Sequence, residues 1–346
     1  MTRRRGFTLG ETVVSIAAVG ALGAVFQPVK DGVGQVSLRF KDADQLGENL
    51  DAHVMWAAMN RGAYPLPSNV DTFGETVDVG QQGDPTLGVQ LNNTSHIFSI
   101  LIFNGLAAPE IFISPAENNK DVSAYTAYEY RNPETAVDPA HAQWDPAFHA
   151  TPNPDWNNGA GGDATSTNNN DAQIGNSSYA QNPALGVREP FWMDTGDPDH
   201  VVLGNRGPSY EGVANYGWMP AKGTGGTLSN TLKFYGPAPR NYWRGNVAYN
   251  DGRVDFETEP APDDLLWTFP HYPPDKNEYP DNLFVNEDRG GSKLTDDQPG
   301  HGQQYKLIQG SKSFQGHEAS SNAYLRPVGS VDGHSYALGS VGIWVD

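Results

Sequence analysis

The chain of 346 residues contains no cysteine. It therefore has no disulfide bonds and no thiolate metal ligands, and its stability must come from a packed core or from bound ions. Its nine histidines show no zinc-type spacing, and no Gly-x-Ser-x-Gly elbow or phosphate-binding loop is present. No recognisable catalytic pattern remains, and we expect a protein that is not an enzyme.

Basic residues are scarce, with 22 Lys and Arg against 41 Asp and Glu, which gives a formal net charge of −19. A nucleic-acid groove needs a basic face, so we expect no nucleic-acid partner. The acidic balance suits a solvated surface outside the cytoplasm. The 39 glycines and 26 prolines predict a loop-rich body.

The N-terminus combines a basic start with a long apolar segment. Three arginines precede Gly6, and the segment 7–29 carries one charged residue, Glu11. About 20 mainly apolar residues suffice for a helix to span a bilayer, and basic flanks stay cytoplasmic. In a secretory signal peptide the small residue at the cleavage site follows the apolar core, whereas Gly6 precedes it here.

The stretch from Gly6 to Glu11 reads Gly-Phe-Thr-Leu-Gly-Glu and leads into the apolar segment. It resembles the processing and methylation motif of type IV prepilins and type II secretion pseudopilins. The resemblance implies cleavage between Gly6 and Phe7 by a prepilin peptidase and assembly through the N-terminal helix. An ionisable residue inside a membrane segment usually has a partner. In a filament, the free amine of Phe7 on one subunit would meet Glu11 of its neighbour; in a monomer, Glu11 would lie among lipid headgroups.

This resemblance divides the chain into a leader (1–6), a transmembrane and filament-core helix (7–29), an amphipathic continuation of that helix (30–62) and an extracytoplasmic head (63–346). Copies of the chain or other pilins would be its partners. The precursor would lie in the inner membrane, with its head outside the cytoplasm, and the assembled form would be a periplasmic or extracellular filament.

The second helical segment has apolar residues at spacings of three and four, which predicts one buried face. Pro28, Gly32 and Gly34 predict a local break near residues 28–34. Arg61 and Gly62 predict the helix end. The apolar stripe consists of Val36, Phe40, Ala43, Leu46, Leu50, Val54 and Ala57.

The head shows one strong hairpin signal, an Asn-Asp-Gly turn at 250–252 between alternating segments. We expect its apolar residues to cover the helical stripe; they are Val247, Tyr249, Val254 and Phe256. Elsewhere we predict helices at 96–103 and 265–267, a strand at 111–113, and closing strands at 324–328 and 341–345 with a packed C-terminus. Four head segments and the hairpin with its Asp-Gly turn resemble stretches of large planctomycete-type prepilin-like proteins; the segments are 64–68, 98–102, 114–117 and 203–208.

One acidic turn is a candidate metal site. Asp194, Asp197 and Asp199 place three carboxylates in one turn, and hard cations such as calcium prefer oxygen ligands. The full EF-hand spacing is absent. A solvated acidic turn is the favoured interpretation, and a calcium site is the alternative.

The sequence thus predicts an α+β protein, with a long N-terminal helix, membrane-inserted in its first half, packed on a loop-rich antiparallel β head as in pilins. Its predicted role is that of a structural subunit of a pilus-like filament or secretion pseudopilus. Two alternatives stay open: a membrane-anchored surface binding protein that does not polymerise, such as an adhesin or glycan-binding module, and an anchored hydrolase.

Overall fold

The computed structural model describes residues 9–78, 88–152, 174–213, 217–223, 225–236, 243–268, 278–285, 323–331 and 341–345; in the first helix it describes side chains from Gly34 onward. It combines one long N-terminal helix with antiparallel sheets, which confirms the α+β class. The three α-helices of this part are α1 (Leu9–Met59), α2 (Pro67–Val70) and α3 (Thr94–Phe103).

Helix α1 is continuous over 51 residues, so the predicted break at 28–34 is wrong. Proline removes one backbone hydrogen bond and glycine weakens helix propensity, but neither effect has to interrupt a long helix. The predicted stop is confirmed. Arg61 and Gly62 have positive φ angles of 59° and 85°, and the Gly62 amide donates to the Ala57 carbonyl at 2.8 Å.

The buried face of α1 differs from the predicted apolar stripe. Leu46, Leu50 and Ala57 are buried in the main core, as predicted, but Val36 and Phe40 are 50% and 58% exposed. The first buried residue among the described helix side chains is a polar one, Asp42. Val36 and Phe40 therefore lie N-terminal to the part of α1 that packs against the core.

The described part of the head contains ten short strands. A four-stranded antiparallel sheet has the order β1-β2-β5-β6, and three two-stranded sheets pair β3 with β4, β7 with β8 and β9 with β10. The strands are β1 (Tyr179–Gln181), β2 (Val201–Asn205), β3 (Tyr210–Val213), β4 (Gly217–Pro220), β5 (Gly245–Tyr249), β6 (Val254–Glu257), β7 (Leu266–Thr268), β8 (Glu278–Pro280), β9 (Val328–Val331) and β10 (Val341–Ile343).

The predicted hairpin is confirmed as β5 and β6, with Gly252 at a φ of 92° in the turn. Its predicted contacts with the helix are only partly right. The register pairs Ala248 with Val254, and these two residues pack in the core beneath α1. Val247 and Tyr249 lie in a second core on the other face, because alternate residues of a strand point to opposite sides.

Helix α3 is confirmed, and the Asn93 side chain caps it by accepting from the His96 amide at 2.9 Å. Two other predictions are wrong. The segment Pro109–Phe112 is a 3-10 helix, because Pro109 fixes a helical φ at its start. The predicted helix at 265–267 is strand β7, whose backbone pairs with β8.

The closing segments are strands with shifted bounds. β9 begins at Val328, four residues after the predicted start at 324, and pairs with β10. Trp344 is 7% exposed, and its amide donates to the Pro327 carbonyl at 3.0 Å. The prediction of a packed C-terminus is therefore confirmed.

Candidate functional site

The predicted processing residues, Gly6 and Phe7, lie outside the described residues. Glu11 lies in α1, at a point where the structure describes the backbone but not the side chains. No helix in the described part of the chain is both long enough and apolar enough to cross a membrane. Processing, membrane insertion and the pairing of Glu11 thus stay predictions.

The junction between α1 and the head is built around the carboxylate of Asp42, which has no solvent exposure. The hydroxyl of Tyr179 donates to Oδ1 at 3.0 Å, and the Asn205 amide approaches the same oxygen at 3.4 Å. The hydroxyl of Tyr235 donates to Oδ2 at 2.5 Å, and Nδ2 of Asn246 donates to it at 2.6 Å. We call these five residues the Asp42 seat.

The Asp42 seat joins parts of the head that are far apart in sequence. Tyr179 starts β1, Asn205 ends β2 and Asn246 lies in β5. Members of the seat also bind each other, because Oδ1 of Asn205 accepts from the backbone amide of Asn246 at 2.7 Å and lies 3.1 Å from the Tyr235 hydroxyl. The helix is thus attached through one carboxylate to three strands and to the segment that carries Tyr235.

Neutral donors stabilise the charge of Asp42. Burial raises the pKa of Tyr179 and the pKa of Tyr235 far above the usual value for tyrosine, and the negative charge of Asp42 raises both further. Both hydroxyls therefore keep their protons and act as donors. Hydrogen bonds to an ionised acceptor are stronger than those between neutral groups.

Neighbouring contacts fix the same turn of α1. Nδ2 of Asn246 also donates to the backbone carbonyl of Arg39 at 3.1 Å, and the Arg39 guanidinium lies 4.6 Å from the ring centre of Phe256. Further along, Gly47 lies against Val254; a Cβ at this glycine would be 3.9 Å from the valine side chain. These contacts set the register of the helix on β5 and β6.

His53 is a second polar residue on the buried face of α1. Its Nδ1 lies 2.9 Å from the Asn49 carbonyl, and three aromatic rings face the imidazole edge to face, at centroid distances of 5.6, 6.1 and 5.6 Å: Tyr64, Phe98 and Trp192. Burial lowers the pKa of His53 to about 4. The imidazole is therefore neutral at neutral pH.

The acidic turn at 194–199 is exposed and held from below by the hairpin. The Asn250 side chain accepts from the Thr195 and Gly196 amides at 2.8 and 3.1 Å. Within the turn, Oδ1 of Asp197 accepts from the Asp199 amide at 3.0 Å. In the part of the chain that the structure describes, no three His, Cys, Asp or Glu side chains form a group able to hold a metal ion. The calcium assignment stays an untested alternative to the solvated turn.

A buried ion pair anchors the C-terminal segment. Arg206 lies 3.0 Å from Oε2 of Glu117, which also accepts from the Ser178 hydroxyl at 2.7 Å. The Arg206 guanidinium is 4.2 Å from the ring centre of Trp344. The last strand is thereby attached to the end of β2, next to the Asp42 seat.

The pattern of apolar residues in the sequence does not reveal the Asp42 seat, because the seat consists of polar residues. The buried face of α1 mixes polar and apolar residues: Asp42, Leu46, Asn49, Leu50, Ala52, His53 and Ala57. The signal that was available is the spacing, since Asp42, Leu46, Asn49 and His53 follow one another at three or four residues. Nothing local in the sequence identifies Tyr179, Tyr235 or Asn246 as partners.

No family model matches the chain, and neither the curated proteins nor the solved structures that were searched gave a match.

Proposed function

We propose that the chain is a structural subunit of a type IV pilus-like filament or a type II secretion pseudopilus. It is inserted in the membrane as a prepilin, cleaved after Gly6 and assembled through its N-terminal helix. The observation that carries the proposal is the stretch from Gly6 to Glu11, in which a basic leader, a small residue and a lone carboxylate precede an apolar segment.

The fold supports this proposal through the length and attachment of α1. At ~1.5 Å per residue, a helix of 51 residues is about 76 Å long. The contacts of the Asp42 seat lie on its C-terminal half, so the head is fixed to one end of a long rod. This arrangement leaves an N-terminal helical segment for packing against other subunits.

The rival function is that of an anchored surface binding protein that does not polymerise. Such a protein needs a membrane segment but neither cleavage at Gly6 nor a partner for Glu11. Cleavage and assembly therefore discriminate between the two functions, and the next two experiments measure each in turn.

The first experiment determines the N-terminus of the exported protein by mass spectrometry. We expect the mature chain to begin at Phe7. Gly6→Leu should block cleavage, because the bulky side chain replaces the small residue that the peptidase reads, whereas Gly6→Ala should be processed. Recovery of intact Met1 in surface-exposed protein would refute the proposed processing.

The second experiment follows assembly of Glu11→Ala by electron microscopy of sheared filaments. A buried carboxylate needs a partner, and the Phe7 amine is the cation that the processed segment supplies. We expect the variant to insert and to be cleaved but to assemble poorly. Glu48→Ala, which removes an exposed carboxylate of the same helix, is the matched control and should assemble normally. Normal filaments from Glu11→Ala would refute the proposed pairing of Glu11 with the Phe7 amine, whereas the absence of filaments from the wild-type chain would favour the anchored binding protein.

A further inference from the structure

Two buried side-chain amides at the interface between α1 and the sheet have no hydrogen-bond partner in the described structure. Asn49 is fully buried, and neither its Oδ1 nor its Nδ2 is paired. Gln181, at the end of β1, is also fully buried with both amide atoms unpaired. Native proteins pair nearly all buried polar atoms with protein groups or ordered water, so these four atoms require an explanation.

The sheet register places Gln181 on the side that faces α1. It lies two residues after Tyr179, whose hydroxyl reaches Asp42, and residues i and i+2 of a strand share a face. Gln181 pairs with Leu203, and the same row of the sheet continues through Ala248 to Val254, which touches the helix at Gly47. Gln181 therefore lies in the row of the sheet that meets α1 at Gly47, two residues before Asn49.

Two more unpaired atoms lie on neighbouring turns of the same helix face. Oε1 of Gln45 precedes Asn49 by four residues, and Nε2 of His53 follows it by four residues. Residues four apart on a helix are neighbours on its surface. The unpaired atoms thus form a polar strip along the interface, beside the apolar residues of the main core.

The hydrogen-bond donors and acceptors of the polar strip determine which ligand can satisfy it. Asn49 and Gln181 each present both donor and acceptor groups, and the Gln45 oxygen adds an acceptor. A metal ion satisfies acceptors alone and an anion satisfies donors alone, whereas water both donates and accepts. A buried water binds two to four polar groups, which this strip supplies.

We propose that ordered water occupies the interface between Asn49 and Gln181 and bridges the two amides. Gln45 and His53 flank Asn49 on the same helix face, four residues before it and four residues after it. The site is independent of the filament function, since it is internal to one chain. Its role is to satisfy the polar face of α1, so that the helix fits the sheet in a single register.

The direct test is nuclear magnetic resonance on the full-length chain with labelled Asn and Gln side chains. We expect the Asn49 and Gln181 amide protons to show cross-relaxation with a long-lived water; Asn49→Leu and Gln181→Met assign the two signals. The exposed amide of Asn60 serves as the control for short-lived surface water. Assigned Asn49 and Gln181 signals that behave like Asn60 would overturn the proposal.

A double-mutant cycle in urea provides a second test. If water bridges the two amides, Asn49→Leu and Gln181→Met should each lower the unfolding midpoint, and the double variant should lose less than the sum of the two. An amide that is unpaired behaves in the opposite way, because its replacement by an apolar group removes a cost. A higher midpoint in either single variant, or strict additivity in the double variant, would overturn the proposal.

Discussion

Acidification should destabilise the head through His53, because the folded protein holds this imidazole neutral. Its pKa lies at about 4 in the folded chain, against 6.5 for a histidine side chain in water. Between these two values the unfolded chain binds a proton that the folded chain excludes. The stabilisation from a neutral His53 is therefore present above pH 6.5 and is lost as the pH falls toward 4.

The size of the effect follows from the difference between the two pKa values. Each pKa unit corresponds to ~1.36 kcal/mol, so a pKa lowered by about 2.5 amounts to about 3.4 kcal/mol once both states are protonated. At pH 4.5 the loss relative to pH 7.5 is about 2.5 kcal/mol, because the folded state has begun to bind the proton. This loss is a large fraction of the stability of an ordinary domain.

The assay is urea unfolding of the full-length chain at pH 7.5 and 4.5, followed by circular dichroism. His53→Leu should lose less stability on acidification than the wild type, by about 2.5 kcal/mol. His200, whose pKa burial also lowers, is present in both proteins and cancels in the comparison. The control is His141→Gln, which removes an exposed imidazole whose pKa is raised by Asp138. Equal acid losses in the wild type and His53→Leu would refute the reasoning.

Three further predictions concern the junction, the helix end and the acidic turn. Asp42→Ala should lower the free energy of unfolding by about 3 kcal/mol, since it removes the acceptor of the Tyr179 hydroxyl and one acceptor each of Tyr235 and Asn246. Urea melts against the exposed Asp44→Ala test this, and equal losses would contradict it. Gly62→Ala should lower the free energy of unfolding by about 1 to 2 kcal/mol, because a side chain disfavours the positive φ of this residue. Thermal melts measure the loss, and Gly47→Ala is the control for the same substitution inside the helix. If the acidic turn is only solvated, a chelator should leave the melting temperature unchanged. A melting temperature that the chelator lowers and added calcium restores, in the wild type but not in Asp197→Asn, would instead assign calcium to the turn.

The local signals in the sequence were sufficient for elements whose structure is decided locally. The hairpin at 245–257 carries its own turn, α3 carries its own cap, and Arg61 and Gly62 end α1. The errors at 109–112 and 265–267 arose where a short apolar segment fits more than one structure. Pro109 starts a 3-10 helix at the first segment, and pairing with β8 makes the second segment a strand.

The junction was not predictable in the same way, because its partners are distant in sequence. From the sequence pattern, Asp42 is one more charged residue on the exposed face of a helix. In the folded chain, two tyrosines and two asparagines from the head surround its carboxylate. His53 reads as a polar interruption of the stripe, and only the three surrounding rings show that it is buried. Tertiary contacts, and not periodicity, decide these positions.

The distances in sequence across the Asp42 seat impose an order on folding. Asp42 is bound by Tyr179, 137 residues further on, and by Asn246, 204 residues further on. Contacts of such long range form slowly, because a large loop must close before they contribute any stabilisation. During synthesis, α1 is made first, and its contacts through Asp42 cannot be completed until β5 has been made. In this interval its polar strip and apolar residues are exposed to chaperones and to other chains, and the segments from β1 to β5 must be in place before the helix is fixed to the head.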